Sequence, residues 1–226
     1  TIPLDDWPAE TESIRPRMSG GAPVVTDVDG DGNNEIVVSF GGYAGVTVDY
    51  LFVIESDGSV KPGWPVVVSA MAGNSSGNTV ITDLDGNGQK EIAQLYNEYD
   101  PDIDTSYLSI NLYSLNGTLI NKHEHTVGDG HYMPDNLRIS VADADLDGKD
   151  EILAKFITRI DMSDTSIVKL FGENLQIESE FEATSSGYND QPTFIQYDAS
   201  TPELEIVMVS DFYLRQDFYD LSGNLL

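Results

Sequence analysis

One acidic nonapeptide recurs along the chain and fixes most of what the chain can fold into. Its first copy is Asp27-Val28-Asp29-Gly30-Asp31-Gly32-Asn33-Asn34-Glu35, followed by Ile36-Val37-Val38. The second is Asp83-Leu84-Asp85-Gly86-Asn87-Gly88-Gln89-Lys90-Glu91, followed by Ile92-Ala93, and the third is Asp143-Ala144-Asp145-Leu146-Asp147-Gly148-Lys149-Asp150-Glu151, followed by Ile152-Leu153. The shared pattern is D-x-D-x-[DN]-G-x-x-E-I, and a degraded copy, short by one residue and without the glycine, lies at Asp198-Ala199-Ser200-Thr201-Pro202-Glu203-Leu204-Glu205-Ile206. The first aspartates are 56, 60 and 55 residues apart, at Asp27, Asp83, Asp143 and Asp198. A repeat of about 57 residues fits almost four times into the chain, and self-similarity of that period marks a repeat architecture. A second marker keeps the same beat: Asp57-Gly58, Asn116-Gly117, Glu173-Asn174 and Ser222-Gly223 all read as hairpin turns.

The flanks say what each repeat folds into. Pro23-Val24-Val25-Thr26, Thr79-Val80-Ile81-Thr82 and Ile139-Ser140-Val141-Ala142 precede the acidic loops, and Ile36–Phe40, Ile92–Tyr96 and Ile152–Phe156 follow them. An aromatic-rich run then enters the hairpin turn, as in Tyr50–Ile54 and Leu108–Tyr113, and another strand leaves it, as in Trp64–Val68. Short β-branched runs at regular spacing, without helical periodicity, predict an all-β fold. Four strands per repeat in tandem is the arithmetic of a β-propeller of four-stranded antiparallel blades, about four of them. We expect one propeller domain over residues 1–226, with repeat units near 10–68, 69–127, 128–185 and 186–226 and an N-terminal strand at 1–9. Trp7-Pro8 stands 20 residues before Asp27 and Trp64-Pro65 stands 19 before Asp83, so residues 1–9 read as an outer strand. That strand would complete the last blade and close a four-blade ring, or the chain is part of a larger propeller; both readings fit.

Composition narrows the partners. The net charge is −28, from 11 basic against 39 acidic residues, a potential that repels phosphate backbones and anionic headgroups and argues against nucleic acid or a membrane surface. No run approaches 18 apolar residues, so no membrane insertion is expected, yet 40% hydrophobic content is too apolar for a disordered acidic tail. The chain opens at Thr1 with no basic-then-apolar leader and reads as a processed or excised piece. The absence of cysteine removes disulfides, Cys-ligated zinc, iron–sulfur clusters and thiol chemistry.

Carboxylates at positions 1, 3 and 5 of a tight loop, with glycine at 6, bring their oxygens toward one point. Ca²⁺ takes six to eight oxygen ligands, and such a loop supplies them. The expected ligand sets are Asp27, Asp29, Asp31, Asn33 and Glu35; Asp83, Asp85, Asn87, Gln89 and Glu91; and Asp143, Asp145, Asp147, Lys149 and Glu151. Position 7 (Asn33, Gln89, Lys149) would contribute its carbonyl, so its identity is free to vary. Gly32, Gly88 and Gly148 would take the sharp reversal. An EF-hand needs Glu at position 12 and an exiting helix, whereas position 12 is Val38, Gln94 or Ala154 and the exit is a strand. Mg²⁺ prefers fewer carboxylates and more water, and Zn²⁺ would want thiols or imidazoles. Acidic turns merely solvated are the alternative, but three in register would hold mutually repelling carboxylates together without a counter-ion. Ser200 and Pro202 replace two ligands in the fourth copy, where no metal is expected.

These loops, their period, and Phe40-Gly41-Gly42 after the first strand pair resemble FG-GAP (VCBS-type) repeats, the blades of integrin-alpha-like propellers. The resemblance implies Ca²⁺ in three loops of an extracellular protein, secreted or on the cell surface, acting in adhesion or in recognition of a protein or glycan ligand. The chain departs from that family in having four units where seven are usual, a metal-less fourth loop, and Leu146 where glycine is common.

Other clusters suggest further chemistry. His123 and His125 share one face of a strand, with His131, Glu124 and Asp129 nearby; they would bind a transition metal or exchange protons, or simply lie on a solvated outer strand. Glu98, Asp100, Asp102 and Asp104 would hold another cation or form an acidic surface loop. Tyr43, Tyr50, Tyr96, Tyr99 and Tyr107 would stack on sugars or pack between blades. Asn74 and Asn116 head glycosylation sequons. No nucleophile elbow or phosphate-cradling loop occurs. The expected function is a non-catalytic, calcium-stabilised recognition or adhesion module. A propeller part of a secreted polysaccharide lyase or hydrolase, with His131, Tyr132 and Arg138 as its candidate cluster, is one alternative, and a structural spacer that self-associates is another.

Overall fold

The computed structural model describes residues 17–18, 22–41, 48–69, 78–130, 138–160, 163–183, 191–210 and 215–226. They form four antiparallel sheets in chain order. The first contains β1 (Arg17–Met18), β2 (Val24–Thr26), β3 (Glu35–Gly41), β4 (Asp49–Ile54) and β5 (Val66–Ser69). β2 pairs with the start of β3 and β1 with its end, so two short strands share one edge of β3. The second sheet is β6 (Asn78–Thr82), β7 (Glu91–Asp100), β8 (Thr105–Tyr113) and β9 (Leu119–Asp129). The third is β10 (Ile139–Ala142), β11 (Glu151–Ile160), β12 (Ser163–Phe171) and β13 (Ile177–Glu182). The fourth is β14 (Gln191–Ile195), β15 (Glu205–Ser210) and β16 (Arg215–Tyr219), and a single bridge between Tyr219 and Leu225 stands where a fourth strand would begin.

The expected all-β class is what the chain adopts; the one helical piece among the described residues is a 3₁₀ turn at Glu173–Leu175. No helix among them is long and apolar enough to cross a membrane. The four-blade closed ring is not seen among the described residues, and the strand expected at residues 1–9 lies outside them, as do His131, Tyr132, Tyr43 and Asn74.

Strands alternate their side chains between two faces, and here both faces of the middle sheets are apolar. On β7, Ile92 and Tyr96 pack toward Val37, Leu51, Val53 and Trp64 of the first sheet. Ala93 and Leu95, between them in sequence, pack toward Ile152, Ala154 and Phe156 of the third. On β11, Leu153 faces the other way, toward Ile206, Met208 and Tyr219 of the fourth. The sheets therefore stack in series, with three buried clusters between them. Each Leu, Ile or Phe removed from water there contributes about 1.5–3 kcal/mol.

The hairpin turns repeat in detail. Glu55 N–H donates to the Ser59 carbonyl, Ser114 to Thr118, Gly172 to Gln176 and Asp220 to Asn224, at 2.8, 2.9, 3.0 and 3.0 Å. Each outer edge reaches the next sheet's turn: Trp64 Nε1 donates to the Leu115 carbonyl at 2.9 Å, Asn121 Nδ2 to Asn174 at 2.6 Å and Ser179 Oγ to Leu221 at 2.6 Å. The first of these joints is so close that a Cβ on Gly63 (φ 94°) would strike the Asn116 carbonyl.

Three candidate metal centres and a fourth loop without one

Each acidic loop joins two paired strands of its sheet, β2 to β3, β6 to β7 and β10 to β11. The same hydrogen-bond scheme shapes all three. The position-6 glycine N–H donates to the first aspartate: Gly32 to Asp27 at 2.9 Å, Gly88 to Asp83 at 3.0 Å, Gly148 to Asp143 at 3.2 Å. Position 3 accepts from the N–H of position 5, in Asp29–Asp31, Asp85–Asn87 and Asp145–Asp147. Position 5 accepts from the N–H of position 7, in Asp31–Asn33, Asn87–Gln89 and Asp147–Lys149. The closing glutamate reaches back to position 2: Val28 N–H donates to Glu35 at 3.0 Å, Leu84 to Glu91 at 3.0 Å and Ala144 to Glu151 at 2.7 Å.

These bonds turn at least one oxygen of each carboxylate toward the main chain, both in Asp27, which also accepts the Gly30 N–H, and gather carboxylate oxygens at a point. Oxygens of Asp27, Asp29 and Asp31 lie within 4.8 Å of one another, as do those of Asp83, Asp85 and Glu91 and those of Asp143, Asp145 and Glu151. The glutamates enter from strand starts and are buried, with Glu35 at 0% exposure, Glu91 at 6% and Glu151 at 3%. Burial, reinforced by the charge of Asp145, pushes Glu151 up to about 7 and, with Asp85 and Asp83, lifts Glu91 above the usual carboxylate range. Glu35 Oε1, Asp83 Oδ1 and Asp143 Oδ1 are buried without any hydrogen-bond partner. Buried oxygens normally have one, and an oxygen-only donor set of this kind fits a hard divalent cation.

The fourth loop shows the contrast. Glu205, aligned with Glu35, Glu91 and Glu151, accepts the Tyr197 N–H at 2.7 Å through Oε2, and the Asp198 N–H and Thr201 hydroxyl, both at 3.3 Å, through Oε1. Both of its oxygens are engaged by the loop itself.

Neighbouring loops touch. The Asp150 carboxylate of the third loop accepts the Asp83 N–H of the second, and Leu204 N–H of the fourth donates to Ala144 of the third at 2.8 Å. In the first loop Lys61 Nζ lies 2.6 Å from Asp29 Oδ2 and 3.0 Å from Glu55 Oε1. The Asp29 bond pushes Lys61 up to about 12 and holds Asp29 below the usual carboxylate range. Sequence reasoning missed Lys61 and Asp150; aligning the four hairpins as well as the loops would have exposed the first.

The other candidates resolve differently. His123 and His125 do share a face of β9, but it is the face packed on the third sheet. The His123 ring centroid is 4.8 Å from that of Phe171, and the His125 ring 5.1 Å from that of Phe156, with His125 Nε2 3.0 Å from Thr158 Oγ1. Burial lowers both imidazoles, His125 to about 4. The solvated outer strand expected for them is therefore corrected, because Lys122 and Glu124 take the opposite face and ion-pair there at 2.6 Å. The Glu98–Asp104 cluster divides: Glu98 pairs with Lys122 at 2.9 Å, and Asp104 accepts the Tyr99 hydroxyl at 2.7 Å. Tyr96 is buried beneath Lys122, packing between sheets rather than facing a sugar.

Comparison with known families places this geometry. A family model described as FG-GAP-like repeat matches residues 16–93, which span the first sheet, its loop, the whole second loop and the start of β7. No curated protein matches the chain. The resemblance read from the loops is thereby met over residues 16–93, which are similar to the FG-GAP-like repeat.

Proposed function

We propose that this FG-GAP-like repeat protein is a non-catalytic, calcium-stabilised extracellular module, built as a β-propeller or part of one, that recognises a protein or glycan ligand. The observation that carries the calcium part is the contrast among four equivalent glutamates. Glu35, Glu91 and Glu151 each close a loop with converging carboxylates and an orphaned buried oxygen, while Glu205 is satisfied by its own loop.

In this reading the chain's residues hold the ion and the ion supplies positive charge between strands. Asp27, Asp29, Asp31 and Glu35 serve the first site, Asp83, Asp85, Asn87 and Glu91 the second, and Asp143, Asp145, Asp147 and Glu151 the third. The carbonyls of Asn33, Gln89 and Lys149 would complete them. Calcium then offsets repulsion that the fold otherwise bears, at an affinity of about 10⁻⁴–10⁻³ M if the loops behave as extracellular modules do. The family match and the acidic surface support an extracellular setting, and the burial of His123 and His125 favours recognition over catalysis.

Calorimetric titration of the chelator-stripped chain with calcium tests this. Three ions per chain and a higher melting temperature are expected. A melt indifferent to calcium at about 10 mM would overturn the reading.

A further inference from the structure

The hairpins align residue by residue, and in the first sheet one position in them meets the acidic loop. Ile54–Val60, Tyr113–Leu119, Phe171–Ile177 and Tyr219–Leu225 are the equivalent antiparallel pairs that close the four turns. The residue after each pair is Lys61, Ile120, Glu178 and Leu226 in turn. In the first sheet this residue is a tethered ammonium, 13% exposed, resting on the position-3 carboxylate Asp29. In the second it is Ile120, which brings no charge and is 44% exposed. In the third it is a carboxylate. Gly172 stands where the first sheet has Glu55, and a Cβ there would collide with the Glu178 carboxylate, so that head group lies back over the turn. Glu178 thus takes in the third sheet the register position that Lys61 takes in the first. Lys149 of that loop ion-pairs with Glu173 at 2.7 Å.

We propose that this one position tunes the divalent-cation affinity of the loop in its own sheet, raised by Glu178 in the third and lowered by Lys61 in the first. The proposal rests on the reading of the loops as calcium sites. Affinity in an oxygen cage follows the number of charges that face the ion. A unit charge a few ångströms away changes it by about tenfold even when partly screened. An ion entering the first loop must share Asp29 with the Lys61 ammonium or displace it, whereas one entering the third meets an additional carboxylate.

The test is calcium titration of the whole chain by calorimetry, comparing stepwise constants. Lys61→Met should tighten one of the two weaker sites about tenfold and leave the tightest unmoved; Glu178→Gln should weaken the tightest about tenfold and leave the other two unmoved. Should Lys61→Met fail to fold in chelator, Lys61→Gln serves, because it removes the charge and keeps a donor for Asp29 and Glu55. Three bound ions whose constants stay put in both variants would overturn the role of this position while leaving the loops as calcium sites. A wild-type chain that binds no calcium would overturn the loops themselves.

Discussion

Asp83 and Asp150, 67 residues apart, hold each other by two reciprocal hydrogen bonds. The Asp150 carboxylate accepts the Asp83 N–H at 2.7 Å, and the Asp150 N–H donates to the Asp83 carbonyl at 3.1 Å. Because Asp83 is position 1 of the second loop and Asp150 position 8 of the third, two candidate ion sites share one piece of backbone. Thr82 Oγ1 adds a longer bond to the same carboxylate at 3.3 Å.

Removing that carboxylate should therefore cost more than a surface charge. Asp150→Ala is expected to destabilise the chain by about 1–3 kcal/mol in urea unfolding, with Asp150→Asn, which keeps an acceptor, losing less. Equal stability of the alanine variant and wild type would show the tie to be idle.

The closing glutamates separate calcium effects from packing effects. Glu35→Gln and Glu151→Gln keep an oxygen for the Val28 and Ala144 N–H groups but turn an amide into the cage. Each should remove about 1–3 kcal/mol of the stability gained at calcium ten- to a hundredfold above Kd. Glu205→Gln should instead lower the melting temperature equally with and without calcium, since both Glu205 oxygens accept bonds within the loop. Melts in calcium and in chelator read both results.

Acid should loosen the contact between the second and third sheets. His125 sits at about 4 in the folded chain against about 6.5 when unfolded, because burial and the neighbouring Lys169 and His123 disfavour its cation, with Glu180 opposing weakly. The unfolded state thus binds more protons between those values. The stability from neutral His125 is complete above pH 6.5 and is lost as pH falls through 4. Melts of wild type and His125→Asn in chelator should diverge least at acidic pH; parallel curves would contradict the assignment.

Leu146 occupies the left-handed region at φ 63°, where Gly30 and Gly86 stand at φ 79° and 70° in the other loops. Its side chain is 57% exposed and gives little packing in return. Leu146→Gly is expected to raise stability by about 0.5–1 kcal/mol by relieving that backbone conformation. A loss on substitution would mean the leucine has a packing role.

Much of this was legible in the chain itself. The strands appeared as β-branched runs because a sheet buried on both faces needs apolar residues at odd and even positions alike. The loops appeared because three converging carboxylates and a φ-positive glycine leave few other residue choices. Lys61 and Glu178 were harder to see, since Lys61 meets Asp29 across 32 residues and only strand register shows that Glu178 takes the matching position. His123 and His125 were misjudged although a signal existed. They alternate with Lys122 and Glu124, and charged residues take the wet face of an outer strand, which leaves the imidazoles for the dry one. The split of the first edge strand into β1 and β2 has no counterpart in the pattern, and nothing in residues 17–26 announces it.

The joints from Trp64 to Leu115, Asn121 to Asn174 and Ser179 to Leu221 each run from one sheet to the one after it. As a mechanical object the molecule is thus coupled like railway carriages, and tension between its ends loads three couplings in series. Among the described residues, the last of them covers the smallest of the three apolar clusters between sheets, around Leu153, Ile206 and Met208. A single-molecule pull should uncouple the segment beyond Ala183 first and leave the carriages ahead of it standing.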